Sequence, residues 1–442
     1  GIGTYVKASD ETHAEVGDRA NDALRIDATE LRCKVVAEGG NLGFTQRGRI
    51  EYARAGGRIN TDAIDNSGGV DTSDHEVNIK ILLDLPVAEG ALTTKQRNEF
   101  LATMTDDVAA LVLADNYEQT EILSVGRRLA PRLLDDEARF MRFLEREGRL
   151  HRAIEFLPAD DVLAERAASG EGLATPERAV LLAYAKLWLY DEILASTLPD
   201  DPWVAQALVD YFPPALVERY GAYLPRHPLR REIIANVVVN RTINRAGATF
   251  VHRMREATGA SPAEVVRAHM LAREVFALPA VWRDIESLDM QVADDVQAAM
   301  LIDTGRLATR GTLWFLRSPR LAEDLAATIA RFGPGVASLA ERVFDLLPGA
   351  SREEALRRAA EFESANVPKP LARRVAALEP LSGAPDIVET AAATGQDVAA
   401  VAGVHFALGD RLALDWLARR IAALPADGHW QGLARGALRD DV

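Results

Sequence analysis

The sequence predicts a mostly α protein, with a truncated α/β segment at its N-terminus followed by a large all-helical region. Three observations carry this. Residues 1 to about 85 alternate short apolar or mixed runs with glycine loops, and two of those runs stop abruptly at Glu38-Gly39-Gly40-Asn41 and Asn66-Ser67-Gly68-Gly69. From about residue 92 the texture changes to long amphipathic stretches with few strand-like runs. No fixed-period repeat or low-complexity tract is present, so a solenoid is not expected. We divide the chain into 1–88 for the α/β segment and 89–442 for the helical region, with a further candidate division near 225–230.

Taken in order, Gly1-Ile2-Gly3-Thr4-Tyr5-Val6 reads as the end of a strand entering a loop. No residues precede it to supply that strand, so the chain is expected to be the C-terminal piece of a longer protein. Cys33–Ala37 is predicted as a strand, short enough to be buried on both faces. Gln46–Ala55 has helical length and is closed by Gly56-Gly57. Arg58–Asp65 is predicted as a second strand. Strand, helix, strand, with glycines and amides at both strand ends, describes the ligand crevice of an open α/β sheet. A helix is expected over Ser73–Leu83.

In the helical region Phe100, Met104, Val108 and Leu111 fall on one stripe. Phe140, Phe143, Leu144, Leu150 and Ile154 mark another, stopping before Pro158. Thr175-Pro176 reads as an N-cap followed by proline at the first helical position, and Ser261-Pro262-Ala263-Glu264 as a capping box. Pro213-Pro214, Pro225 with Pro228, Gly333-Pro334-Gly335 and Pro368 with Pro370 punctuate the remainder. The last residues, Arg439 to Val442, are expected to fray.

Composition excludes several classes. The 442 residues are 48% hydrophobic, which marks a globular chain with ample core. One cysteine, Cys33, rules out a disulfide framework or a cysteine-based zinc site and fits a cytoplasmic protein. A formal charge of −15 argues against nucleic acid as a partner. No apolar run is long enough to span a membrane; the best, Ala179–Tyr190, is broken by Lys186. The opening residues lack the basic-then-apolar pattern of a signal peptide.

The candidate chemistry is sparse. Each glycine-amide turn alone is an ordinary tight turn; paired at the ends of adjacent strand candidates, they read as ligand turns. Position 6 is Val, so Gly1-Ile2-Gly3 does not complete a dinucleotide fingerprint, and no phosphate-loop motif occurs. His75-Glu76 lacks the second histidine of a metalloprotease, and His13, His151, His227, His252, His269, His405 and His429 show no ligand spacing. No metal is expected. Asn236, Asn240 and Asn244 share a helix face beside Arg241, Arg245, Arg253 and Arg255. They read as inter-helix hydrogen bonding on a solvated face, with a regulatory anion site as the sharper alternative. Trp188, Tyr190, Trp203, Tyr211 and Phe212 read as a packing core.

The two turns resemble those of the glutamate dehydrogenases, in which an E-G-A-N turn is followed by N-A-G-G-V and a serine three residues beyond the valine. Here these stand as Glu38-Gly39-Gly40-Asn41, Asn66-Ser67-Gly68-Gly69-Val70 and Ser73. The Asn21-Asp22-Ala23 segment and Lys34 match the lead-in. Gly40 in place of Ala, Gly43-Phe44-Thr45 in place of proline-threonine, and His75 in place of an aromatic residue are departures. Together with Gly1–Ser9 and Ala109–Thr120, these departures look like the large NAD-specific bacterial members of the family; the resemblance is close over roughly 1–130, with Val239–Phe250 as the best later marker.

The resemblance implies a truncated Rossmann-like catalytic segment and oxidative deamination of L-glutamate to 2-oxoglutarate and ammonia, with NAD as hydride acceptor. Carried over position by position, Gly39, Gly40 and Asn41 approach the nicotinamide ribose. Asn66 lies beside nicotinamide and substrate, Gly68 and Gly69 keep that turn open, and Ser73 binds the side-chain carboxylate of glutamate. The family's substrate lysines, proton-shuttling aspartate and phosphate turn have no counterpart here, so no catalytic residue is assigned and the fragment alone is expected to be inactive. A homo-oligomer is implied by resemblance. Two other readings stay open: a helical scaffolding or regulatory module carrying a non-binding α/β remnant, and a dehydrogenase for another amino acid, which Ser73 disfavours.

Overall fold

The computed structural model describes residues 3–425 and 429–440. Gly1 and Ile2, in the expected strand end, and Asp441 and Val442, in the expected frayed tail, lie outside the described residues. Helices dominate, as expected. Extended structure among the described residues consists of one two-stranded parallel sheet and two isolated bridges. The chain divides into two compact units, Gly1–Phe250 and Val251–Val442.

The first unit opens with β1 (Val6–Lys7) and β2 (Ile26–Asp27), which pair in parallel with Val6 opposite Ile26. Between them lies the short α1 (His13–Val16), started by a Thr12–Glu15 capping box. Phe44 bridges to Val6 in parallel. Thr45 then caps α2 (Gln46–Arg54) by accepting the Gly48 N–H at 2.9 Å. Val6, Ala28, Phe44, Tyr52 and Ile59 form a small core that ties these pieces to α2.

The helix of the expected strand–helix–strand unit is therefore present, and its flanks run parallel: Val35 bridges to Arg58. The flanking strands are shorter than expected. The first is reduced to that bridge, and Val35 is 67% exposed rather than buried on both faces. No further strand among the described residues pairs with it. The second run leaves extended structure after Arg58 and forms α3 (Asp62–Asp65), which Thr61 precedes in an extended conformation. Acidic Asp62 in a first helical turn favours helix over strand, and Ile64 supplies the buried contact.

Next come α4 (Ser67–Ala88), α5 (Thr94–Ala102), α6 (Thr105–Arg128) and α7 (Ala130–Arg146). Two expected stripes are cut by turns. Phe100 and Val108 belong to different helices, with Met104 buried at the junction. The α7 stripe ends at Arg146, because Gly148 takes a left-handed φ of 68°. Ile154 lies beyond it, 69% exposed. The unit continues through α8 (Asp160–Ser169), α9 (Thr175–Ala195), α10 (Gln206–Tyr211), α11 (Pro214–Tyr220) and α12 (Arg230–Ala246). In α9, Thr175 is the first helical residue and Pro176 the second, one position off the expected cap. Trp188, Tyr211 and Phe212 are buried, as a packing core requires.

The second unit is helical throughout its described residues, starting from α13 (Phe250–Thr258) and α14 (Pro262–Val275). The Ser261–Glu264 capping box forms, with Ser261 N–H donating to Glu264 at 2.8 Å. Gly333-Pro334-Gly335 does not break the chain; the helix Leu325–Leu346 runs through it. A Cβ on Gly335 would lie 2.7 Å from a Val388 methyl, so that glycine permits a close helix crossing.

Candidate functional site

The Glu38–Asn41 turn is built around a buried ion pair. Glu38 is 5% exposed, and Arg49 of α2 grips it in a fork, Nε to Oε2 at 2.6 Å and Nη2 to Oε1 at 3.0 Å. Glu38 also accepts the Phe44 N–H at 3.2 Å, so one carboxylate ties both ends of the loop. Its own N–H donates to Asp65 at 3.0 Å, while Asp62 accepts the Leu42 N–H at 2.9 Å and lies 3.2 Å from Arg49. Leu42 adopts a left-handed φ of 65°. A Cβ placed on Gly39 or Gly40 would meet nothing within 4 Å, so both face open space.

The second turn is a helix start. α4 begins at Ser67, so Gly68 and Gly69 lie in its first turn, and Asn66 precedes it without capping it. Ser73 is not at the helix N-terminus, as expected from sequence, but two turns in. The paired glycines do not delay the helix, because Asp62–Asp65 has already turned the chain. Asn66 donates its side-chain amide to the Asn41 side-chain oxygen at 2.7 Å, joining the two turns. Asn41 and Ser73 are exposed and Asn66 is half-buried. At helical spacing Asn66, Gly69 and Ser73 share one face of α4. The structure thus brings the two turns together and puts Ser73 on the same exposed face.

Sequence reasoning missed Asn116 of α6, whose amide donates to Ile64 O at 2.8 Å and Ser67 Oγ at 3.0 Å, fixing the start of α4. It also missed the cluster on the opposite face of α4. Asp71 and His75 of α4 and Asp115 of α6 bring one potential ligand atom each within 4.8 Å of one another. His75 is 2% exposed and stacks on Tyr211 with ring centroids 4.3 Å apart. Burial, then Asp115 and Asp74, pushes Asp71 up to about 7. Burial, then Glu118, pushes Asp115 up to about 6. Burial lowers His75 and takes Lys186 of α9 down to about 8. The only sequence signal was the i, i+4 spacing of Asp71 and His75, since Asp115 is distant in sequence. Tyr211 hydrogen-bonds Asp74 at 2.7 Å and accepts from Asn78 at 2.9 Å.

Two further features frame the site. Lys186 lines a cleft of about 550 Å³ together with Arg49, Asp62, Gln119, Glu155 and Tyr184, on whose wall none of Asn41, Asn66 and Ser73 stands. On α12, Arg241 pairs with Asp210 at 2.9 Å and Arg245 with Glu118 and Glu121 at 2.7 Å, so these arginines are neutralised rather than poised for an anion. Asn244 is 1% exposed and its amide has no partner among the described residues, so the expected inter-helix bond is not made there.

Comparison with known proteins assigns the class. Residues 170–442 match the family described as glutamate dehydrogenase, C-terminal, and residues 1–126 match bacterial NAD-glutamate dehydrogenase, catalytic domain. The chain belongs to the glutamate dehydrogenase family. Among curated proteins it is similar to the NAD-specific glutamate dehydrogenases of Pseudomonas aeruginosa, at 48% identity, Halomonas elongata, at 46%, and Mycobacterium tuberculosis, at 42%. Each comparison covers 100% of this chain and 27% of the relative, so the chain spans about a quarter of their length.

Proposed function

We propose that this chain forms part of an NAD-dependent glutamate dehydrogenase: the distal part of a Rossmann-like nicotinamide-binding domain, residues 1–88, and the helical region after it. The parent enzyme oxidatively deaminates L-glutamate to 2-oxoglutarate and ammonia, in amino-acid catabolism. Bound NAD takes the hydride from the substrate Cα. The observation that carries the reading is the Asn66–Asn41 hydrogen bond, which joins the two motif turns beside the open backbone of Gly39 and Gly40. Open space at those glycines and the exposed Asn41 amide fit a dinucleotide that approaches the backbone closely.

In this reading Asn41 orients the nicotinamide ribose, with Gly39 and Gly40 admitting it. Asn66 stands between nicotinamide and substrate, and Gly68 and Gly69 keep the first turn of α4 clear. Ser73, on the same face, donates its hydroxyl to the side-chain carboxylate of glutamate. These residues position reactants; the acid–base groups belong to other parts of the parent enzyme, which we place in the cytoplasm as a homo-oligomer. The helical-scaffold alternative calls for Ser73, Asn41 and Asn66 buried and hydrogen-bonded to each other. Asn41 and Asn66 are bonded, but Asn41 and Ser73 are exposed, which favours the enzyme reading.

The test is Ser73→Ala in the full-length protein. Loss of a hydrogen bond to a charged group costs about 1.5–3 kcal/mol, read as a raised KM for glutamate with KM for NAD little changed. An unaltered glutamate KM would remove the substrate assignment.

A further inference from the structure

The inner face of α4 carries a second, independent arrangement. Asp71 and His75 lie one turn apart on α4, and Asp115 meets them from α6, with one potential ligand atom from each inside 4.8 Å. The His75 imidazole is 2% exposed and makes no hydrogen bond among the described residues; its Nε2 faces Asp71 Oδ1 at 3.9 Å, and its buried Nδ1 has no partner among them. No hydrogen bond among the described residues reaches the carboxylates of Asp71 or Asp115. Burying the imidazole nitrogen without a partner is costly, and the half-buried carboxylates of Asp71 and Asp115, this close, repel.

Lys186 supplies one positive charge, but it makes no ion pair within 4 Å among the described residues. The other cations in reach are committed, Arg245 to Glu118 and Glu121, and Arg241 to Asp210. With Glu118 balanced by Arg245, the carboxylates of Asp71, Asp74 and Asp115 face the single cation of Lys186. A neutral imidazole nitrogen with two carboxylate oxygens is the donor set of a borderline first-row dication. At bond lengths of roughly 2.1 Å, tetrahedral ligand atoms lie about 3.4 Å apart, reached from here by small side-chain rotations.

We propose that Asp71, His75 and Asp115 bind one divalent cation of the Zn²⁺ or Mn²⁺ class, which staples α4 to α6. Its role is structural: Asn66 leads into α4 and Ser73 stands on its outer face, and the staple holds that helix in place. The site stands whether or not the dehydrogenase reading holds.

The experiment uses the full-length protein, stripped with a chelator and titrated with ZnCl₂ or MnCl₂ by calorimetry and thermal melting. One strong site per chain and a metal-dependent rise in Tm are expected. Asp115→Asn and His75→Gln weaken that site at least about tenfold, while Glu76→Gln, on the exposed side of α4 and paired with Lys80, leaves it unchanged. Absence of a strong site, or a site unaffected by both substitutions, overturns the proposal and leaves Lys186 as the balancing charge. Should those variants fail to fold, X-ray absorption of the zinc-loaded unmodified protein decides. A shell with one imidazole among oxygens supports the site, and a shell with none or several rejects it.

Discussion

Glu38 illustrates how a motif residue works without touching a ligand. Its carboxylate is buried, gripped by Arg49, and holds the Phe44 N–H across the glycine turn. The sequence marked Glu38 as part of a turn, but its partner could not be read, because Arg49 looked like any polar residue on an α2 surface. Removing one member of a buried pair strands the other charge, at a cost of about 3–5 kcal/mol. Arg49→Met is therefore expected to destabilise the first unit by that order in denaturant unfolding. The double variant Glu38→Gln with Arg49→Met should lose clearly less than the two single losses added together. Full additivity would show that the fork is not coupled. In the full-length enzyme the single variant should raise KM for NAD, because Asn41 loses its support.

At the level of elements, local signals were legible and junctions were not. The α2 helix, its stop at Gly56-Gly57, the Ser261 capping box and the paired turns all follow from residues within a few positions of one another. The strands were overread: a short apolar run such as Cys33–Ala37 signals a buried strand only if neighbours cover it, and Val35 lacks them. Stripes were overread for the opposite reason, since apolar spacing continues through the α5–α6 junction, where Met104 is buried in the turn itself. The start of α4 depends on Asn116, some fifty residues away, which pins Ile64 O and Ser67 Oγ. Sequence spacing carries no trace of such a contact. Asn116→Ala should cost about 1–2 kcal/mol and speed hydrogen exchange across the first turn of α4, leaving the middle of α6 protected. Unchanged exchange over residues 67–71 would assign the helix start to other contacts.

At the level of the molecule, acid stability offers a test of how tightly the second unit is packed. His269 of α14 is 2% exposed, and burial, with the Arg273 cation adding in the same direction, pushes its pKa down to about 3. The unfolded imidazole titrates near 6.5. Between those values the unfolded chain binds a proton that the folded chain refuses, so stability falls as pH falls, by about 1.4 kcal/mol per pH unit, and levels off below about 3. Carboxylates held low by hydrogen bonds, such as Glu264 by Ser261, add their own loss only near and below pH 4. Between 6.5 and about 4.5, Asp71 and Asp115, raised to about 7 and about 6, gain stability as pH falls and oppose the histidine, so the contribution of His269 is read from the difference between the unmodified protein and His269→Gln. Unfolding free energies of His269→Gln should lie below those of the unmodified protein at pH 7.5, and the gap should narrow as pH falls across that window. Parallel pH profiles for the two proteins would show that His269 is solvated in the folded state, and that the interior of α14 admits water.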